Sequence, residues 1–159
     1  MDRMMNNSNK GDIAYENFLE GYNCTQAVTV TFAEELGLDE QTAARLSCGF
    51  GGGMGRMREV CGTFSGIVMV LSQLYGYSDP KDTVTKKDLY EKIRALAAKF
   101  RADNGSIICR ELLGLEKAEE SAAPEPRTAE YYKKRPCPEL CRYAANILEE
   151  FIKENLPGT

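Results

Sequence analysis

Apolar residues recur at helical spacing along most of the chain. Between Asp12 and Glu20 they fall at Ile13, Tyr15, Phe18 and Leu19, which predicts a short helix ended by Gly21. Asn23 and Gln26 stand three apart like the halves of a capping box and predict a helix from Cys24 to about Leu36, stopped at Gly37. The β-branched run Val28-Thr29-Val30-Thr31 lends local support to a strand, but the cap and the glycine stop favour helix. Asp39 predicts the cap of a third helix reaching Leu46. From about Met57 to Tyr75 the chain is mostly apolar and predicts a longer helix ended by Gly76. Gly62 and Gly66 lie on one face of it, where a neighbouring helix or a bound group would approach closely. Thr85, with Asp88 three residues on, predicts the cap of an amphipathic helix reaching about Ala102, its stripe formed by Leu89, Ile93, Leu96 and Phe100. Asp103-Asn104-Gly105 ends it, and Ser106 and Glu111 flank a short helix carrying Cys109. Glu116 to Arg127, with Pro124 and Pro126, reads as an exposed loop. Pro138 sits in the first turn of a last helix running to about Asn155. With no repeat and no strand–helix alternation, the expected fold is all-α, a small helical bundle with a Gly-rich loop between helices.

At 159 residues the chain is expected to form one domain over 12–159, behind a flexible, Asn-rich N-terminal arm at 1–11. Acids and bases are interspersed, and the net charge of -4 leaves no basic footprint for nucleic acid. The N-terminus carries no hydrophobic run, and the longest apolar stretch, Ile67 to Leu71, is far too short to span a bilayer. The reading is a soluble, cytoplasmic protein with no membrane partner, in a compartment where thiols stay reduced.

That reading makes the cysteines informative. There are six, Cys24, Cys48, Cys61, Cys109, Cys137 and Cys141, and no histidine. A chain of this length builds a core without disulfides, so sulfur chemistry or metal binding becomes the leading idea. The missing histidine excludes Ser-His and Cys-His couples, mixed Cys/His zinc sites and the C-x-x-C-H haem attachment. Cys24, Cys109 and Cys137 fall at predicted helix starts, where unpaired N–H groups and the helix dipole are expected to lower a thiol pKa. Cys137 and Cys141 stand four apart on one helix face. Cys61 follows the loop Cys48–Gly55, which holds five glycines. Cys48, flagged only by that loop, is the expected bystander. No Lys-Ser/Thr follows the loop and no strand precedes it, which argues against a nucleotide-phosphate site. Its expected role is close backbone approach to the cysteines at Gly51, Gly52 and Gly53, and at Gly62 beyond it. Arg56 and Arg58 are read by default as solvated.

Asn23-Cys24-Thr25-Gln26-Ala27-Val28, then Cys48-Gly49-Phe50-Gly51-Gly52-Gly53-Met54-Gly55-Arg56-Met57, then Val60-Cys61-Gly62-Thr63-Phe64-Ser65-Gly66, with Cys109 and Cys137 later, resemble the C_GCAxxG_C_C family of redox-active proteins, which is similar also to a domain of split-Soret cytochromes. The resemblance covers roughly Asp12 to Ile152. It implies a helical fold and a cysteine-based redox or iron–sulfur role, with the four signature cysteines at Cys24, Cys61, Cys109 and Cys137. The family's literal Gly-Cys-Ala is Val60-Cys61-Gly62 here, and Cys48 and Cys141 are extra. The haem of the cytochrome relatives does not transfer, since the chain lacks both attachment motif and His ligand.

Three readings stay open. The first is an iron–sulfur cluster for electron transfer, ligated by Cys61, Cys109 and Cys137 with Cys24 or Cys141 as the fourth thiolate. The second is a metal-free thiol–disulfide protein reacting through Cys61 and Cys24. The third is a structural or interaction module with inert cysteines or a structural zinc. The partner would be a redox protein or a small thiol, and a homodimer is allowed though no residue demands it.

Overall fold

The computed structural model describes residues 9–115 and 121–158. Its elements are α1 (Lys10–Leu19), α2 (Cys24–Thr31), α3 (Ala33–Leu36), α4 (Glu40–Ser47), a 3-10 turn (Cys48–Phe50), α5 (Gly62–Tyr75), α6 (Thr83–Asn104), α7 (Cys109–Leu112), α8 (Ala129–Lys134) and α9 (Cys137–Glu154). There is no β-strand among the described residues, so the fold is all-α.

Helix α2 is the hub. All its residues except Gln26 are buried, and it packs against α1, α4, α5 and α9. A helix buried on every side belongs to a core, where tertiary packing overrides the modest helix propensity of Val and Thr. The polar atoms that burial brings inside are satisfied in place. Thr31 donates to the Ala27 carbonyl at 2.7 Å and accepts from Asn17 at 3.0 Å. The Thr29 and Ser47 hydroxyls lie 2.7 Å apart. The capping box forms as expected: the Gln26 N–H donates to Asn23 Oδ1 at 2.9 Å, and the Asn23 N–H donates to Gln26 Oε1 at 3.0 Å. On the far side, a Cβ placed on Gly66 would stand 2.9 Å from Val28 Cβ, so α5 lies on α2 at backbone distance. The outer layers are amphipathic. α9 buries Leu140, Cys141, Ala144, Ala145, Ile147 and Leu148. α6 turns Phe100 inward, edge-on to Phe64 at 5.8 Å and to Tyr143 at 5.4 Å.

Four expectations are corrected. The helix expected from Cys24 to Leu36 is two, because the buried Phe32 leaves helical geometry at φ -106°, ψ 23°. The helix expected from Met57 begins at Gly62, because residues 58–61 pair with a distant segment described below. The cap of α6 is Asp82, which accepts the Thr85 N–H at 3.0 Å. α1 starts at Lys10, so Lys10 and Gly11 belong to a helix and not to the arm. The first eight residues of that arm, and residues 116–120 of the expected loop, lie outside the described ones, while 121–127 is irregular and mostly exposed. α8, which buries none of its residues, was not expected.

Candidate functional site

Two of the cysteines are brought to the site by a short backbone crossing. The Cys61 N–H donates to the Ile107 carbonyl at 2.7 Å, the Cys109 N–H to Glu59 at 2.6 Å and the Arg110 N–H to Arg58 at 3.2 Å. This antiparallel contact, centred on an isolated bridge between Val60 and Ile108, takes residues 58–61 out of helical geometry. It delivers Cys61 to the cap of α5 and Cys109 to the first position of α7.

The Gly-rich loop leads into the crossing as a left-handed coil. Gly52, Gly53 and Gly55 have positive φ, and so do Met54, Arg56 and Arg58 at 70°, 63° and 60°. Each such residue with a side chain costs roughly 1–2 kcal/mol of local strain. Backbone bonds from Gly55 to Gly49, from Arg58 to Gly52 and from Glu59 to Gly53, at 2.8, 3.1 and 2.8 Å, hold the coil against that strain. The outcome reverses one expectation: Arg58 is not solvated but buried, its Nη1 3.7 Å from Cys109 Sγ.

Cys24 opens α2 behind its cap Asn23, and Cys137 opens α9 after Pro136. Thus Cys24, Cys61, Cys109 and Cys137 come from four separate segments, each at the start of a different helix. All four line one cavity of about 70 Å³. Its wall is otherwise largely apolar, with Phe18, Leu112, Leu113 and Leu140, and carries Arg58, Arg127 and Tyr131. Gly52 and Gly62 also line it. Gly51 and Gly53 do not: a Cβ on Gly51 would strike the Asn23 side chain, and one on Gly53 would come within 2.7 Å of Cys109 Cβ. Cys141, fully buried one turn beyond Cys137, packs behind the wall with its thiol 3.9 Å from the Cys24 carbonyl. Cys48 is exposed on the 3-10 turn and does not line the cavity. Among the described residues, no group of three or more His, Cys, Asp or Glu is gathered closely enough to hold a metal ion. The four sulfurs stand around the cavity and are not drawn onto one point.

The family whose model matches residues 22–151 is described as Putative redox-active protein (C_GCAxxG_C_C). The chain belongs to this family. Membership in the C_GCAxxG_C_C family supports a redox role for the protein. The four cysteines that the sequence sets against the family signature are the four on the cavity wall. No curated protein and no solved structure matches the chain. No described helix is long and apolar enough to cross a membrane.

The electrostatics correct a second expectation. The helix starts do not leave Cys109 and Cys137 with lowered pKa values. Burial pushes Cys61 up to about 12, the Cys24 charge adds to this, and a 3.1 Å contact with the Thr63 hydroxyl opposes it. Burial also raises Cys137 and Cys141, with further upward pushes from neighbouring cysteines. Cys109 is raised by burial while Arg58 pulls it back. Desolvation of a thiolate outweighs the partial charge at a helix end, which is smallest for a helix of one turn such as α7.

A pH dependence follows for the metal-free protein. Unfolding returns Cys61 to an ordinary thiol that ionises near pH 9, so the unfolded chain loses its proton first. Stability is therefore intact below about pH 9 and falls as pH rises toward about 12. Urea unfolding at stepped pH measures this, and Cys61→Ala should flatten the slope.

The residues 121–136 leading into Cys137 form a strap fastened by Arg127. Its guanidinium donates to the Phe18 carbonyl at 2.8 Å and to the Tyr22 carbonyl at 2.9 Å, and lies 4.0 Å over the Phe18 ring. Tyr131 lies beneath the same guanidinium, 5.3 Å away, and burial raises its pKa. The sequence reading missed Arg127, Tyr131 and Thr63. The one available signal was an arginine followed one turn later by the pair Tyr131-Tyr132.

Proposed function

We propose that this protein transfers electrons through an iron–sulfur cluster ligated by Cys24, Cys61, Cys109 and Cys137. The observation that carries the reading is the convergence of four cysteines, remote in sequence, on one cavity. The donor set fits such a group: all thiols, no histidine, in an apolar wall with cations close by. Raised thiol pKa values fit as well. Four neighbouring thiolates repel one another until a cation ionises them together, so a metal centre supplies what the bare fold lacks.

The family's redox description favours a cluster over a single zinc, which carries no redox change of its own. The metal-free thiol–disulfide reading asks for an accessible thiolate near neutral pH, and the buried, raised cysteines work against it.

The bound cluster would supply a reversible one-electron change. The chain's own residues do the rest. The phenyl and leucyl groups of Phe18, Leu112, Leu113 and Leu140 exclude water. Arg58 sets a positive charge beside Cys109, and the strap covers the site. A separate redox protein or small thiol is the proposed partner.

Serine substitution tests the ligand set. After anaerobic loading with ferrous iron and sulfide, Cys61→Ser, Cys109→Ser and Cys137→Ser should each lose most of the bound iron. Cys48→Ser should retain it, and Cys141→Ser should retain it with a weakened core. Equal iron retention in all five variants would sink the reading.

A further inference from the structure

Buried hydroxyls are kept where something receives them. Thr29 and Thr31, inside α2, donate to the carbonyls four residues back, at 3.1 and 2.7 Å. Thr63 lies on the Cys61 sulfur at 3.1 Å. Thr25 is the exception: fully buried, its Oγ1 has no hydrogen-bond partner among the described residues. The reason is local. Thr25 is the second residue of α2, so the carbonyl four residues back belongs to Gly21, outside the helix.

Its location is specific. A Cβ built on Gly62 would stand 2.5 Å from Thr25 Oγ1 and 2.3 Å from Cys24 Sγ. Hydroxyl and thiol therefore share the space that glycine leaves open at the start of α5. A neutral thiol is a weak acceptor, while a charged sulfur is a strong one.

We infer that Thr25 is a positioning residue of the sulfur site, its hydroxyl held in reserve to donate to the Cys24 sulfur once that sulfur is charged. The inference rests on the iron–sulfur reading above. Thr63 and Cys61, on either side of Gly62, already make a hydroxyl–sulfur contact of the kind proposed. Hydrogen bonds to ligand sulfur stabilise the more negative, reduced state and set the potential of such centres. In the metal-free protein the same hydroxyl is a defect, because a buried donor without a partner weakens the fold.

The two halves give opposite signs for Thr25→Val, which keeps the shape and removes the donor. The melting temperature of the metal-free full chain should rise by a few degrees. The midpoint potential after loading with ferrous iron and sulfide should shift to more negative values. Thr25→Ser, which restores the donor, should return the potential toward that of the parent. An unmoved potential in a normally loaded Thr25→Val protein overturns the inference and leaves the cluster reading standing. A lowered melting temperature in the metal-free variant overturns it too, because the hydroxyl would then have a partner in the fold. Failure of the parent chain to take up iron overturns both.

Discussion

Gly62→Ala is expected to cost the protein its sulfur site and part of its stability. Alanine is ordinarily the better helix residue by about 1 kcal/mol, so the change should help an unconstrained helix. Here the new Cβ would fall 2.3 Å from Cys24 Sγ, 2.5 Å from Thr25 Oγ1 and 3.3 Å from the Phe50 carbonyl oxygen. Both side chains open the buried hub helix α2, so the methyl fits only if they shift. Overpacking of this kind costs about 1–3 kcal/mol, enough to cancel the propensity gain. Cys24 must then turn from the cavity. Iron retention after anaerobic loading should fall to a small fraction of the parent's, and thermal unfolding should move down by several degrees. Gly66→Ala, crowding Val28 instead of a cysteine, should destabilise the fold while leaving more of the iron in place. An unshifted melting temperature with full iron retention in Gly62→Ala would remove glycine's role as the gap shared by Cys24 and Thr25.

Arg127→Ala is expected to open the site. The strap buries no residue of α8. Arg56 holds its Ser121 and Ala123 carbonyls, and over the cavity it is fastened by one guanidinium reaching two carbonyls and stacking on Phe18. Loss of a partly exposed charged donor of this kind is worth about 2 kcal/mol, which multiplies the open population roughly 30-fold at 1.4 kcal/mol per decade. The alkylation rate of the cavity cysteines in the metal-free protein should rise about tenfold or more. Arg127→Lys should resemble Ala more than Arg, because an ammonium cannot span both carbonyls in the same fork. Cys48, already exposed, should react at the parent rate in every variant and serves as the internal reference. If the cavity cysteines of Arg127→Ala react no faster, the strap is fastened elsewhere.

The parts of this fold legible in the sequence are those decided within a few residues. Asn23 with Gln26, Asp39 and Gly37 act on backbone groups beside them, and the helix ends they mark fall where the sequence places them. The start of α5 was not legible because Val60 answers to Ile108, far along the chain. Periodicity reports which residues are apolar, and Met57 and Val60 continue the apolar pattern of the helix that follows. α8 escaped notice because it has no buried face to create a pattern.

The site divides along the same line. Residue type and family resemblance pick out the cysteines, and Cys48 separates from them because only the Gly loop flags it. The thiol pKa values of Cys109 and Cys137 went the other way from expectation because position at a helix start is local, while burial depends on how α2, α5, α7 and α9 come together. Arg58 reads as one more surface cation until the left-handed coil turns it inward. Thr25 carries no signal of its own beyond the family motif, and its unmet hydroxyl is visible only once Gly62 lies over it.

The central claim is that the four cavity cysteines hold iron and sulfide. Chemical analysis of the full chain purified without oxygen tests it most directly, with loading by ferrous iron and sulfide if the preparation is bare. The account expects iron and acid-labile sulfide in equal amounts and visible absorption that bleaches on reduction. A colourless protein that binds neither after loading, or that binds only zinc, would contradict it.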